Sequence, residues 1–186
     1  MASSSSVQGQ PSPGQVVEAA IAVARSLGDE FPYAIVGGAA CLVLGSHRLT
    51  TDESFIVESR TNHTHYRSTP PVGTDILTPP ALFKGQFDES TETIRVNGTR
   101  VLKPTLILNA KCYSILGRAT AEKKDRDADD ISFLPEWCIG KAVYPTNSEV
   151  PNATKEFVDQ YIAKYGRADV WNNAGYDISG GTWTRD

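Results

Sequence analysis

Apolar residues at 16, 17, 20, 21, 23, 24 and 27 draw a broad stripe along Val16 to Leu27, the spacing of a helix with one buried face. Gly28-Asp29 can end it. Tyr33 to Val36 then forms a short, wholly apolar strand after Pro32. Ala39 to Leu44 is a compact apolar helix closed by Gly45-Ser46, and Ser54 to Val57 gives a second strand. Residues 58–71 are polar, lack a helical period and end on Pro70-Pro71, so they read as a connecting loop. Thr74 to Leu77 is a third strand, stopped by Thr78-Pro79-Pro80. Thr93 to Val96 and Thr99 to Leu102 flank Asn97-Gly98, a pairing that suits a two-residue hairpin turn. Pro104 can open a helix over Thr105 to Arg118. A second follows over Lys124 to Trp137, and Asn152 can cap a third over Lys155 to Tyr165, ended by Gly166.

This order of helix, short strands and further helices predicts an α/β or α+β domain: a mixed sheet flanked by helices, with a helical C-terminal part. At 186 residues, 40% hydrophobic and 22% charged, the chain suits a single domain over 16–176. Residues 1–15, rich in Ser, Gly, Gln and Pro, read as a disordered leader, and 177–186, with Gly180-Gly181, as a loose tail. The start lacks a basic, apolar signal, and no apolar run approaches the roughly 20 residues that cross a bilayer. Cys41, Cys112 and Cys138 sit in apolar surroundings and are odd in number, which predicts buried free thiols and a cytoplasmic, reducing setting. A net charge of −4 argues against a nucleic-acid partner, yet a few local cations can still hold a small anion. Nothing in the pattern fixes the oligomeric state.

The chemistry gathers early. Gly37-Gly38, at the step from strand to helix, offers backbone amides of the kind that cradle phosphates. Asp52 and Asp75 fall on neighbouring strand segments, where clustered carboxylates can hold magnesium. With Gly45, Ser46, Arg48 and Thr50 between the glycine pair and Asp52, this ordered set resembles the nucleotidyltransferase-fold superfamily, and within it the small nucleotidyltransferase-like proteins of filamentous fungi. Those proteins run Gly-Gly, short helix, Gly-Ser, Arg-x-Thr-x-Asp-x-Asp and then a third Asp on a strand. The segment from Val101 to Leu134, with Lys111, Arg118, Asp127 and Asp130, is similar to their helical part. The likeness spans about residues 16–140.

The resemblance implies a sheet-based cleft that binds a nucleoside triphosphate through two magnesium ions. The sequence departs from it at Ser54, where the second Asp of the pair would stand. Glu53 cannot substitute, since adjacent strand residues face opposite ways. The interval between Ser54 and Asp75 is also too short for the helix that relatives carry there. The expectation is therefore a degenerate member whose cleft binds and transforms a small organic molecule with no metal or cofactor. Cyclisation, isomerisation or a cycloaddition of Diels–Alder type in fungal natural-product biosynthesis would suit it. Two alternatives stay open: a magnesium-dependent nucleotidyltransferase using ATP, with Asp52 and Asp75 as the ligands, and a non-catalytic nucleotide-binding module.

Asp52, Asp75, Arg48 and Lys111 are the candidate catalytic residues. Gly37, Gly38, Ser46, His47, Ser54, His65, Tyr66 and Arg118 are the candidate contacts to the ligand. Lys111 and Arg118, seven residues apart, share one helix face two turns apart. They either meet a negative ligand group or pair with Asp127 and Asp130, in a mixed-charge run that otherwise reads as solvated. His63-x-His65 has the makings of a metal-binding pair, set against a reading as ordinary loop histidines. Trp137, Trp171 and Trp183 read as core or lid aromatics.

Overall fold

Ser12 starts the first helix, α1 (Pro13–Leu27), by a reciprocal cap: its hydroxyl accepts from the Gln15 amide at 3.3 Å while the Gln15 side chain accepts from the Ser12 N–H at 2.9 Å. Pro13 stands at the first helical position, where its missing N–H costs nothing. The helix thus begins three residues before the hydrophobic stripe, inside the segment expected to be a leader. Its buried residues, Val16, Ala19, Ala20 and Ala24, follow helical spacing, and three alanines let it lie close to the sheet. The computed structural model describes residues 10–29, 32–47, 52–57, 63–77 and 87–185; for 52–57, 63–65 and 76 the description is of the backbone.

The strands are β1 (Tyr33–Val36), β2 (Asp52–Val57), β3 (His63–Tyr66), β4 (Val72–Leu77), β5 (Thr93–Val96) and β6 (Thr99–Leu102). They form one mixed sheet in the order β3-β4-β2-β1-β6-β5. Strands β1 and β2 are antiparallel, with Val36 beside Ser54. Strands β2 and β4 are parallel, with Ser54 beside Asp75, and β1 runs parallel to β6 with Ile35 beside Val101. The Asn97-Gly98 turn forms as expected: φ values of 50° and 80° give the two left-handed positions a two-residue hairpin needs.

Helix α2 (Gly37–Val43) leaves β1 directly and is buried from Ala39 to Val43. Helices α3 (Pro104–Leu116) and α4 (Ala121–Gly140) pack along each other. Thr120 caps α4, which therefore starts three residues earlier than its sequence pattern indicates. Thr154, not Asn152, caps α5 (Lys155–Tyr165); the Asn152 amide N–H instead donates to the Asn109 side chain at 2.9 Å. The run 58–71 also departs from expectation, because His63 to Tyr66 pair with β4 as a strand.

The tail differs most from its reading as loose. After α6 (Ala168–Asn173), strands β7 (Tyr176–Asp177) and β8 (Thr182–Trp183) form a small hairpin. Trp183 is buried, with its ring centroid 5.8 Å from Trp171 and 5.0 Å from Tyr176. The Asn147 side-chain amide holds the Trp183 backbone at two points, accepting from its N–H at 2.9 Å and donating to its carbonyl at 3.0 Å. One continuous core runs from α1 and the sheet through α3 and α4 to this aromatic cluster. No described helix is long and apolar enough to cross a membrane.

Candidate functional site

Where β1 passes into α2 the sheet opens into a cleft of about 290 Å³. Val36, Gly37, Leu77 and Leu102 form the sheet side; Ile107, Ala110, Lys111, Ser114 and Arg118 form the helix side. Gly37 adopts φ 64° as the chain turns from strand to helix, so the backbone itself makes part of the wall. Ile107, Lys111, Ser114 and Arg118 recur at intervals of four, three and four, one face of α3 continued past its end.

The cations at this face are held by buried acids. Lys111 is 6% exposed, and its Nζ lies 2.7 Å from both Asp127 Oδ1 and Asp130 Oδ2. Arg118 donates through Nε to Asp127 Oδ2 at 2.6 Å, and Ser114 Oγ donates to the same oxygen at 3.0 Å. Asp127 and Asp130, three residues apart on α4, are both buried, contrary to the solvated run expected there. Burial alone would raise the Asp127 carboxyl, but the Arg118 hydrogen bond and the Lys111 charge outweigh it and hold it below the ordinary range. Burial would likewise lower Lys111, yet the charges of Asp130 and Asp127 prevail and raise it. Two positive and two negative groups therefore balance, so Lys111 works as a structural counter-ion. Arg118, whose side chain is 39% exposed, presents the open edge of this network to the cleft.

The structure gathers only part of the expected residue set. Gly37, Lys111 and Arg118 line the cleft, and Asp75 lies two residues from Leu77 on the same strand. Gly38 follows Gly37 in the first turn of α2. Ser46 closes the opposite end of that helix, donating its N–H to the Cys41 carbonyl at 2.9 Å, and the exposed His47 follows it; neither lines the cleft. Asp52 stands beside Gly73 and Ser54 beside Asp75. His65 and the half-buried Tyr66 belong to β3, separated from β1 by β4 and β2, rather than to a loop. Arg48 and Thr50 lie outside the described residues. Sequence reasoning missed Ser114, whose place in the spacing of Lys111 and Arg118 was the available signal.

No protein-family model matches the chain, and no curated protein matches it. Solved structures do. The chain is similar to an antigenic nucleotidyltransferase-like protein from Paracoccidioides brasiliensis at 18% identity and a TM-score of 0.61, over 89% of this chain and 94% of that one. It is also similar to a candidate nucleotidyltransferase from H. pylori at 15% identity and a TM-score of 0.54, over 87% and 88% of the two chains. At such identities the likeness is one of fold: the chain has a nucleotidyltransferase-like architecture.

Proposed function

We propose that this nucleotidyltransferase-like fold uses its cleft to bind a small, largely apolar organic molecule and to orient it for reaction, without metal-driven nucleotidyl transfer. The observation that carries the reading is the lining. Of the described lining residues, Val36, Leu77, Leu102, Ile107 and Ala110 are apolar, and the two cations, Lys111 and Arg118, are neutralised by Asp127 and Asp130. A triphosphate needs unspent positive charge or well-held magnesium. A carbonyl or single carboxylate needs only the outer edge of Arg118.

The donor set also fits two magnesium ions poorly. Ser54, a neutral residue, occupies the register position beside Asp75 where a further carboxylate would be required. What remains is preorganisation, worth up to about 7–11 kcal/mol where geometry is good. Cyclisation, isomerisation or cycloaddition of a flexible substrate can proceed on that alone, as in a fungal natural-product pathway. Three buried cysteines outside any disulfide suit a cytoplasmic setting, and the net charge of −4 disfavours nucleic acid.

One observation favours magnesium-dependent transfer instead: Asp52 and Asp75 sit diagonally on paired strands. Thermal melting with ATP, with and without magnesium, separates the readings. The proposed function expects no magnesium-dependent rise and no pyrophosphate release. A rise of several degrees with magnesium, accompanied by pyrophosphate, would overturn it in favour of transfer. A rise with ATP alone would make the protein a nucleotide-binding module. As the positive arm, the apolar anion 8-anilinonaphthalene-1-sulfonate should bind saturably, and Ala110→Trp, which fills the cleft, should abolish that binding.

A further inference from the structure

Away from the cleft, α5 carries a pattern of its own. Phe157, Tyr161 and Tyr165 recur every four residues on one helix face. Their rings follow one another at centroid distances of 6.1 Å and 5.1 Å. Tyr161 is fixed in place: its hydroxyl donates to the Ala128 carbonyl at 2.7 Å and accepts from Ser132 Oγ at 2.8 Å. With Ile115 and Leu116 at the end of α3, this aromatic ladder floors a groove of about 190 Å³. That is room for one large side chain, whereas small-molecule sites occupy roughly 300–1,000 Å³. Leu116 is 64% exposed and Tyr113, one turn before it on α3, 52% exposed. The apolar surface thus extends past the groove, as it does where another protein is met.

The rim of this groove has one sign. Lys124, near the start of α4, and Lys164 of α5 line it, and among the described residues no carboxylate does. Among those residues neither lysine forms an ion pair. Lys164 donates to the Tyr165 hydroxyl at 2.8 Å and lies 4.6 Å from the centre of that ring, and Asp125 reaches it by charge alone. On a chain of net charge −4 the groove is therefore a local positive spot. The cleft differs, since its cations are held by Asp127 and Asp130. We infer that the groove docks an acidic amphipathic segment of a partner protein. One aliphatic or aromatic side chain of that segment fills the space between Leu116 and the tyrosines, and flanking carboxylates meet Lys124 and Lys164. A buried apolar anchor within a charged rim is how grooves hold amphipathic helices. The inference does not rest on the proposed function, because the cleft uses another face of α3, that of Ala110, Lys111 and Ser114.

The test uses the full chain and two short labelled amphipathic peptides with the same leucine stripe, one otherwise rich in glutamate and the other in lysine. Fluorescence anisotropy should show saturable binding of the glutamate peptide, weakening as salt rises, and none of the lysine peptide. Leu116→Asp should weaken binding at least about tenfold, as loss of an anchor does. Lys124→Glu combined with Lys164→Glu should reverse the preference, releasing the glutamate peptide and taking up the lysine one. Leu116 and Lys164 are exposed and Lys124 half-buried, so these variants should keep the melting temperature of the unaltered chain. No binding of the glutamate peptide, equal binding of both, or retention by folded Leu116→Asp would each overturn the proposal. So would loss of binding on Ala110→Trp, which would place the peptide in the cleft. Displacement by equimolar decanoate would make the groove a fatty-acid site instead, and a dimer that Leu116→Asp dissolves in sedimentation would give it to a second copy. The charge preference of the unaltered chain decides the matter even if a variant does not fold. The nucleotide melting experiment reads the cleft separately.

Discussion

Lys111 is the residue whose role changes most between sequence and structure. Its ammonium is buried between two carboxylates, so truncating it removes the buried cation that both acids share. Breaking a buried pair in this way costs about 3–5 kcal/mol. Lys111→Ala should therefore lower stability by that order in denaturant titrations, well beyond Arg118→Ala, whose side chain reaches solvent. The pH dependence follows from Asp127. Its folded value is depressed, so the stability it adds is present above its ordinary value of 3.8 and is lost as pH falls through the depressed one. Asp127→Asn should flatten the acid limb of a plot of melting temperature against pH. The sequence displayed these four charges, and the spacing of Lys111 and Arg118 placed them on one face. It could not show whether water or the α4 acids would meet them, because that depends on how two helices pack.

At the scale of elements, strong local chemistry was readable and weak chemistry was not. The Asn97-Gly98 hairpin, the Pro104 helix start and the strand-to-helix step at Gly37 each rest on a backbone preference that tertiary structure had no reason to overrule. His63 to Tyr66 escaped because a short polar strand has no apolar alternation to reveal it. The terminal hairpin escaped for a related reason. Tyr176 and Trp183 are isolated apolar residues among glycines, and only their packing on Trp171 makes them core. Trp183→Ala should therefore cost about 3–5 kcal/mol, as large aromatic truncations in a core do. Urea unfolding followed by far-UV circular dichroism checks this; a change under 1 kcal/mol, the scale of an exposed position, would return the segment to a loose tail.

For the whole molecule, the mixed architecture was legible from element order and from a short series of motifs, while the site was legible only in part. Gly37 and Arg118 belong to the cleft; Ser46 and His47 stand at the far end of α2. Motif order fixed their sequence neighbours without fixing which end of a helix faces the opening. The continuous core carries its own expectation. With the sheet and the aromatic cluster joined through α3 and α4, unfolding should be one transition. Tryptophan fluorescence reports α4 through Trp137 and the C-terminal cluster through Trp171 and Trp183, and circular dichroism the entire backbone, so their denaturation midpoints should coincide; separated midpoints would mean two cooperative units.

The Asn147 carboxamide imitates a passing peptide group, occupying both outward hydrogen-bonding positions of Trp183. A bare ribbon edge invites a foreign chain to zip alongside it. Here that invitation is withdrawn by one side chain, which closes the β8 edge of the hairpin to a pairing strand at Trp183.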